Sequence, residues 1–133
     1  MAVALALPFF AISPRLGQVY DDESRDLANA SQWQQAIDTI AHAPGPVMCG
    51  QLSLCYWAGR PSAVDFFNFG QRASRDPALA DALASRIDQR GFGLIQEDRI
   101  NGETLLPASA KAAIAKYYRV TQTAPTVLLT PRP

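Results

Sequence analysis

Short apolar runs alternate with amphipathic stretches along most of this 133-residue chain, and this alternation limits the fold more than any single motif does. Short apolar runs bounded by glycine or proline are typical of buried strands. Stretches in which apolar residues recur every three or four positions are typical of helices packed on a sheet. The alternation predicts a small layered α/β domain with a mainly parallel sheet, about three helices and a C-terminal antiparallel hairpin.

Three stretches have helical spacing and a recognisable start. The first begins at Ser31, a residue type that caps helices, and ends in the proline-rich segment that follows it. The second is the clearest, because Asp76 is placed to cap it and Pro77 suits its first position. Gly91 is expected to supply the left-handed residue after its end. Pro107 opens the third helix.

The predicted strands are short, and most are bounded by turn residues. They cover residues 47–50, 63–67, 92–96, 119–123 and 126–130. The segment 54–59 is apolar and aromatic and fits either a strand or a helical turn, whereas residues 68–70 are expected to form a loop. The last two strands are separated by Ala124 and Pro125, which predicts the terminal hairpin.

The first twelve residues are uniformly apolar and differ from everything after them. Spanning a bilayer takes about 20 apolar residues, so residues 1–14 are interpreted as the end of a membrane helix, with Arg15 at its exit. The alternatives are a signal-like segment, although no basic residue precedes the run, and a strand or helix buried in the core. The charged residues 15–30 are then a linker, and residues 31–133 form a soluble α/β domain.

The charges of the chain are balanced, with 12 Lys plus Arg against 12 Asp plus Glu. A neutral chain has no field that attracts nucleic acid, so no nucleic-acid partner is expected. There is no glycine-rich phosphate loop, and one histidine with two cysteines does not make a zinc ligand set. Neither a cofactor nor a metal ion is therefore expected.

The two cysteines, Cys49 and Cys55, have five residues between them, which is not the Cys-x-x-Cys spacing of a redox site. We interpret them as small buried hydrophobic residues on two apolar segments. The alternative is a disulfide around a tight turn, in a domain that faces an oxidising compartment.

Three carboxylates follow predicted strands and are the candidate site residues. Glu97 and Asp98 come directly after the strand at 92–96, and Asp65 has a comparable position. In open α/β sheets ligands gather at the carboxyl ends of the strands, so these residues define a candidate ligand site, with solvated loop carboxylates as the simpler interpretation. No nucleophile–histidine motif accompanies them, and no catalytic residue is assigned.

An ordered set of short blocks resembles a known family. The blocks are residues 44–49 (PGPVMC), 54–61 (LCYWAGRP), 65–69 (DFFNF), 87–95 (IDQRGFGLI), 113–120 (AIAKYYRV) and 128–133 (LLTPRP). They resemble the C-terminal extracytoplasmic domain of bacterial polytopic glycosyltransferases of the dolichyl-phosphate-mannose mannosyltransferase-like class, which have the GT-C architecture. The resemblance implies a polyprenyl-phosphate-linked sugar donor and catalytic acids among membrane helices, so none of those acids is carried over to this chain.

Two hypotheses follow. In the first, the chain is a non-catalytic domain on the outer face of a membrane glycosyltransferase, held at the inner membrane by its N-terminal segment and facing the periplasm or cell exterior. Its partners are then the membrane and the transmembrane part of the transferase. In the second, it is an independent small α/β enzyme or ligand-binding module that uses Asp65, Glu97 and Asp98.

Overall fold

A computed structural model describes residues 29–98 and 105–133 of the chain. Residues from Trp33 to Pro133 belong to one compact unit. The apolar segment 1–14 and nearly all of the predicted linker 15–30 lie outside the described residues. Among the described residues no helix is both long and apolar enough to cross a membrane.

The described residues form five helices and five strands, which confirms the predicted α/β class. The helices are α1 (Ala30–Ala41), α2 (Leu52–Trp57), α3 (Phe66–Ala73), α4 (Pro77–Asp88) and α5 (Ala108–Tyr117). The strands are β1 (Val47–Cys49), β2 (Ser62–Asp65), β3 (Leu94–Glu97), β4 (Tyr118–Gln122) and β5 (Val127–Pro131). The sequence predicts about three helices, and α2 and α3 are not among them because they are only six and eight residues long.

The strands form a single mixed sheet with the order β2-β1-β3-β5-β4. Strand β1 pairs in parallel with both β2 and β3, and β5 joins β3 in the antiparallel direction. Strands β4 and β5 pair as the antiparallel C-terminal hairpin that the sequence predicts. The sheet therefore has a parallel half and an antiparallel half, and β2 and β4 are its edges.

Helices cover both faces of the sheet, because successive strand residues point to opposite sides. One face carries Val47, Cys49, Leu94 and Leu128, and it packs against apolar residues of α1 and α2: Ala36, Ile40, Leu54 and Cys55. The other face carries Met48, Ile95 and Leu129, and it packs against residues of α3, α4 and α5, among them Phe66, Leu83, Ile87 and Ile114. The result is a three-layer domain with two hydrophobic cores.

Helix α4 begins as predicted but ends differently. The Asp76 carboxylate accepts a hydrogen bond from the Ala78 N–H, and Pro77 is the first helical residue. The residue with left-handed backbone is Arg90 (φ 55°), not Gly91. Gly91 is required for a different reason, since a Cβ there would lie 2.9 Å from the Arg86 carbonyl oxygen.

Two other local predictions are wrong. Helix α1 begins at Ala30, so Ser31 lies inside the helix and does not cap it. The predicted loop at 68–70 and the last two residues of the predicted strand 63–67 lie within helix α3, which starts at Phe66 because Asp65 caps it. The ambiguous segment 54–59 falls largely in helix α2, the helical alternative.

Candidate functional site

The carboxyl ends of the parallel strands β1, β2 and β3 lie at the same end of the sheet, and the candidate carboxylates are at this end. Cys49 of β1 is in register with Asp65 of β2 on one side and with Gln96 of β3 on the other. Glu97 is one residue beyond Gln96, so its side chain points to the opposite face of the sheet. The three predicted residues therefore lie at this end of the sheet, Asp65 at the end of β2 and Glu97 and Asp98 at and just after the end of β3.

Asp65 is engaged as the cap of helix α3. Its Oδ1 accepts hydrogen bonds from the Phe67 N–H at 3.0 Å and the Asn68 N–H at 3.2 Å, and its Oδ2 accepts a short one from the Asn68 side-chain amide. These bonds, chiefly those from Asn68, lower the pKa of the Asp65 carboxyl below its ordinary value. Asp65 is thus an ionised capping group rather than a proton donor.

Glu97 lies at the end of β3 and is half-buried. Burial raises the pKa of its carboxyl, and the positive charge of Lys111 on α5 opposes that effect in part. Asp98 follows it, half-buried, and is also engaged in an interaction. The environment of Glu97 thus favours the protonated form of its carboxyl, and the residue lies near α5 rather than the disulfide.

The two cysteines are joined. Cys49 at the end of β1 and Cys55 within α2 form a disulfide, with their Cα atoms 6.0 Å apart. Both residues are at most 1% exposed and pack in the same core cluster as Leu54 and Leu128. Both cysteines are buried, as the preferred interpretation expected, but they are bonded, which was the alternative. The bond fastens α2 to the end of β1, an interior strand of the sheet.

A buried glutamine at this end of the sheet, Gln96, makes hydrogen bonds that the sequence analysis does not predict. Gln96 is fully buried, its side-chain oxygen accepts a hydrogen bond from the Gln51 N–H at 2.8 Å, and its side-chain nitrogen donates to the Thr126 hydroxyl at 2.8 Å. The Thr126 hydroxyl donates in turn to the Glu97 carbonyl at 2.9 Å. A polar residue within the apolar run 92–96 is the sequence signal for such a network.

This network positions the turn that carries the disulfide. The Gly50 N–H donates to the Gln96 carbonyl at 2.9 Å, so both Gly50 and Gln51 are held by Gln96. Because buried polar groups are costly when unpaired, satisfying the Gln96 amide ties together the end of β1, strand β3 and the start of β5.

Next to the disulfide, α2 presents apolar side chains to solvent. Leu52, Tyr56 and Trp57 are 47%, 76% and 69% exposed, and the two aromatic rings meet edge to face with centroids 5.5 Å apart. Helix α2 thus has a buried side fastened by Cys55 and an exposed aromatic side.

A cleft with a volume of about 380 Å³ lies beside the edge strand β2, between α3 and α4. Asp65, Asn68, Arg72 and Arg86 contribute its polar lining. The Arg86 guanidinium carbon lies 4.6 Å from the centre of the Phe92 ring, a cation–π arrangement. Of the predicted site residues only Asp65 lines this cleft.

Within the described residues there is no group of three or more His, Cys, Asp or Glu side chains placed to hold a metal ion. No protein-family model, no curated protein and no solved structure matches this chain.

Proposed function

We propose that this chain is an extracytoplasmic, non-catalytic binding domain whose fold is fastened by the Cys49–Cys55 disulfide. The observation that carries the proposal is the disulfide itself, between two cysteines with at most 1% exposure. Disulfides persist in oxidising compartments and are rare where glutathione and thioredoxin keep thiols reduced. Its burial also favours a structural role over thiol exchange, which needs an accessible sulfur.

The state of the carboxylates supports a non-catalytic role. Acid–base chemistry by paired carboxylates needs both groups beside one substrate, with pKa values that differ. The pKa of Asp65 is lowered and that of Glu97 is raised, but the Asp65 carboxylate is already bonded to the N–H groups at the start of α3. The engagement of Asp65 as a helix cap favours the non-catalytic hypothesis over the independent enzyme.

A finer proposal concerns the partner of the domain. The sequence resemblance supports a role on the outer face of a membrane glycosyltransferase that uses a polyprenyl-phosphate-linked sugar, and the apolar residues 1–14 support attachment to the inner membrane. Cross-linking of the full chain in its native membranes, followed by mass spectrometry, tests this. We expect cross-links to a polytopic transferase, and glycosyl transfer by the chain alone would contradict the non-catalytic role.

The location is tested by labelling in intact cells. The side chain of Arg119 is exposed on the edge strand β4, so an Arg119→Cys variant presents one accessible thiol. We expect a membrane-impermeant maleimide to label it without cell lysis. The matched control is Ala36→Cys, which places a thiol at a fully buried position and should stay unlabelled. Labelling of Arg119→Cys only after lysis would contradict the extracytoplasmic location.

A further inference from the structure

The cleft beside β2 opens onto an unpaired strand edge. Strand β2 ends the sheet, and no described strand lies on its outer side. Three consecutive residues of this strand, Ala63, Val64 and Asp65, line the cleft. The cleft therefore lies along most of the length of this edge strand. An edge of this kind presents free backbone donors and acceptors.

The cleft has apolar walls, and its charged groups are two arginines and the Asp65 carboxylate. Phe69 of α3 and Leu79 and Leu83 of α4 supply apolar surface, with Leu83 in the core and the other two half-buried. Arg72 of α3 and Arg86 of α4 are both exposed and line the same cleft.

These two cations have no anionic partner within the part of the chain that the structure describes. Asp65, the carboxylate that lines the cleft, is already bonded to the Phe67 and Asn68 amides. Arg86 lies over the Phe92 ring, and this cation–π contact does not neutralise the positive charge of its guanidinium. The cleft therefore lies beside an edge strand, has apolar walls, and carries a net positive charge from two arginines and one carboxylate.

We propose that an extended peptide with acidic side chains binds in this cleft and adds to β2 as an outer strand. In strand addition the backbone hydrogen bonds give affinity and pockets for alternate side chains give specificity. Apolar side chains of the peptide would contact Phe69 and Leu79, and acidic ones would pair with Arg72 and Arg86. The four residues of β2 span about 13 Å at the usual rise per residue, which suits a peptide of about four to six residues. This inference does not depend on the compartment of the domain.

The test uses the full chain and a fluorescein-labelled peptide of alternating valine and glutamate, about six residues long. Fluorescence anisotropy measures its Kd, and we expect binding that weakens as salt is added. We expect Arg72→Glu to raise the Kd of the peptide roughly fivefold or more, because one exposed ion pair is lost and the new glutamate repels the acidic peptide. The matched control is Arg119→Glu, the same charge change on the opposite edge strand, which should leave the Kd unchanged. Circular dichroism checks that both variants fold.

Two further peptides separate strand addition from simple charge attraction. A peptide with lysine in place of glutamate should not bind, and an acidic peptide N-methylated at alternate residues should lose binding because it lacks the backbone donors. Amide chemical shifts in the NMR spectrum should change at residues 62–65 and not at 118–122. The proposal is overturned if no acidic peptide binds, if the N-methylated peptide binds equally well, or if Arg72→Glu and Arg119→Glu have the same effect.

Discussion

Single residues were predictable where the chemistry is local. Asp76 followed by proline is a cap signal within two residues, and the structure confirms it. Asp65 has a similar role at the start of α3, but it also ends a strand, so its sequence setting indicated a ligand site instead. The hydrogen bonds from Phe67 and Asn68 exist only because the chain turns directly from strand to helix there.

Glu97 gives a prediction at the scale of one residue. Because burial raises the pKa of Glu97, the folded protein holds this proton to a higher pH than the unfolded chain does. The free energy of unfolding therefore falls as the pH rises from the ordinary pKa of a glutamate through the raised pKa of Glu97. The Glu97→Gln variant has no carboxyl to ionise, so its free energy of unfolding should not fall in this way.

Urea unfolding at two pH values measures the effect. We expect equal midpoints for the wild type and Glu97→Gln below about pH 4, where the carboxyl is protonated in both states. At pH 7 the variant should have the higher midpoint. Asp81→Asn, an exposed change on α4, is the control and should show no such difference. A lower midpoint for Glu97→Gln at pH 7 would mean that attraction to Lys111 outweighs burial.

At the scale of elements, length decided what was predictable. The twelve-residue helix α4 and the terminal hairpin have enough periodicity to identify them. Helix α3 has eight residues and aromatic side chains that also suit a strand, so the segment that follows Asp65 was expected to be the end of a strand and a loop. The Gln96 network could not be predicted, because its partners Gln51 and Thr126 are 45 and 30 residues away.

The Gln96 network gives a prediction about how the elements are held together. Gln96→Leu leaves the Gln51 N–H without its acceptor and removes the donor to the Thr126 hydroxyl. We expect the free energy of unfolding to fall by about 1–3 kcal/mol, the range for stranding buried polar groups. Gln71→Leu, on the exposed side of α3, is the control for the loss of a glutamine. Equal stabilities of the two variants would show that the network does not hold the turn.

The disulfide gives a second prediction at this scale. It joins residues six positions apart and so closes a small loop in the unfolded chain. We expect reduction to lower the free energy of unfolding by about 2 kcal/mol, from the loop-closure entropy alone. Urea unfolding with and without a phosphine reductant measures it, and the double variant Cys49→Ala, Cys55→Ala serves as a reductant-insensitive control. No change on reduction would remove the structural role assigned to the bond.

At the scale of the whole molecule, the α/β layers follow from the alternation of apolar runs and amphipathic helices. The cleft beside β2 does not, because it depends on β2 being at the edge of the sheet. Strand order is a property of non-local pairing, and no local pattern among residues 62–86 specifies it. The same limit explains why Arg72 and Arg86, on two different helices, were not recognised as parts of one site.

We propose that this domain works outside the cytoplasm, with Cys49 and Cys55 bonded as they are in the structure. The most direct test is to quench cells of the source organism with acid, block free thiols with N-ethylmaleimide under denaturing conditions, and measure the intact mass of the chain. Because the sequence has only these two cysteines, the mass reports their state without ambiguity. We expect the mass of the unreduced chain to show no added maleimide, and the mass of the chain reduced beforehand to show two. Two maleimides on the unreduced chain would contradict the proposal.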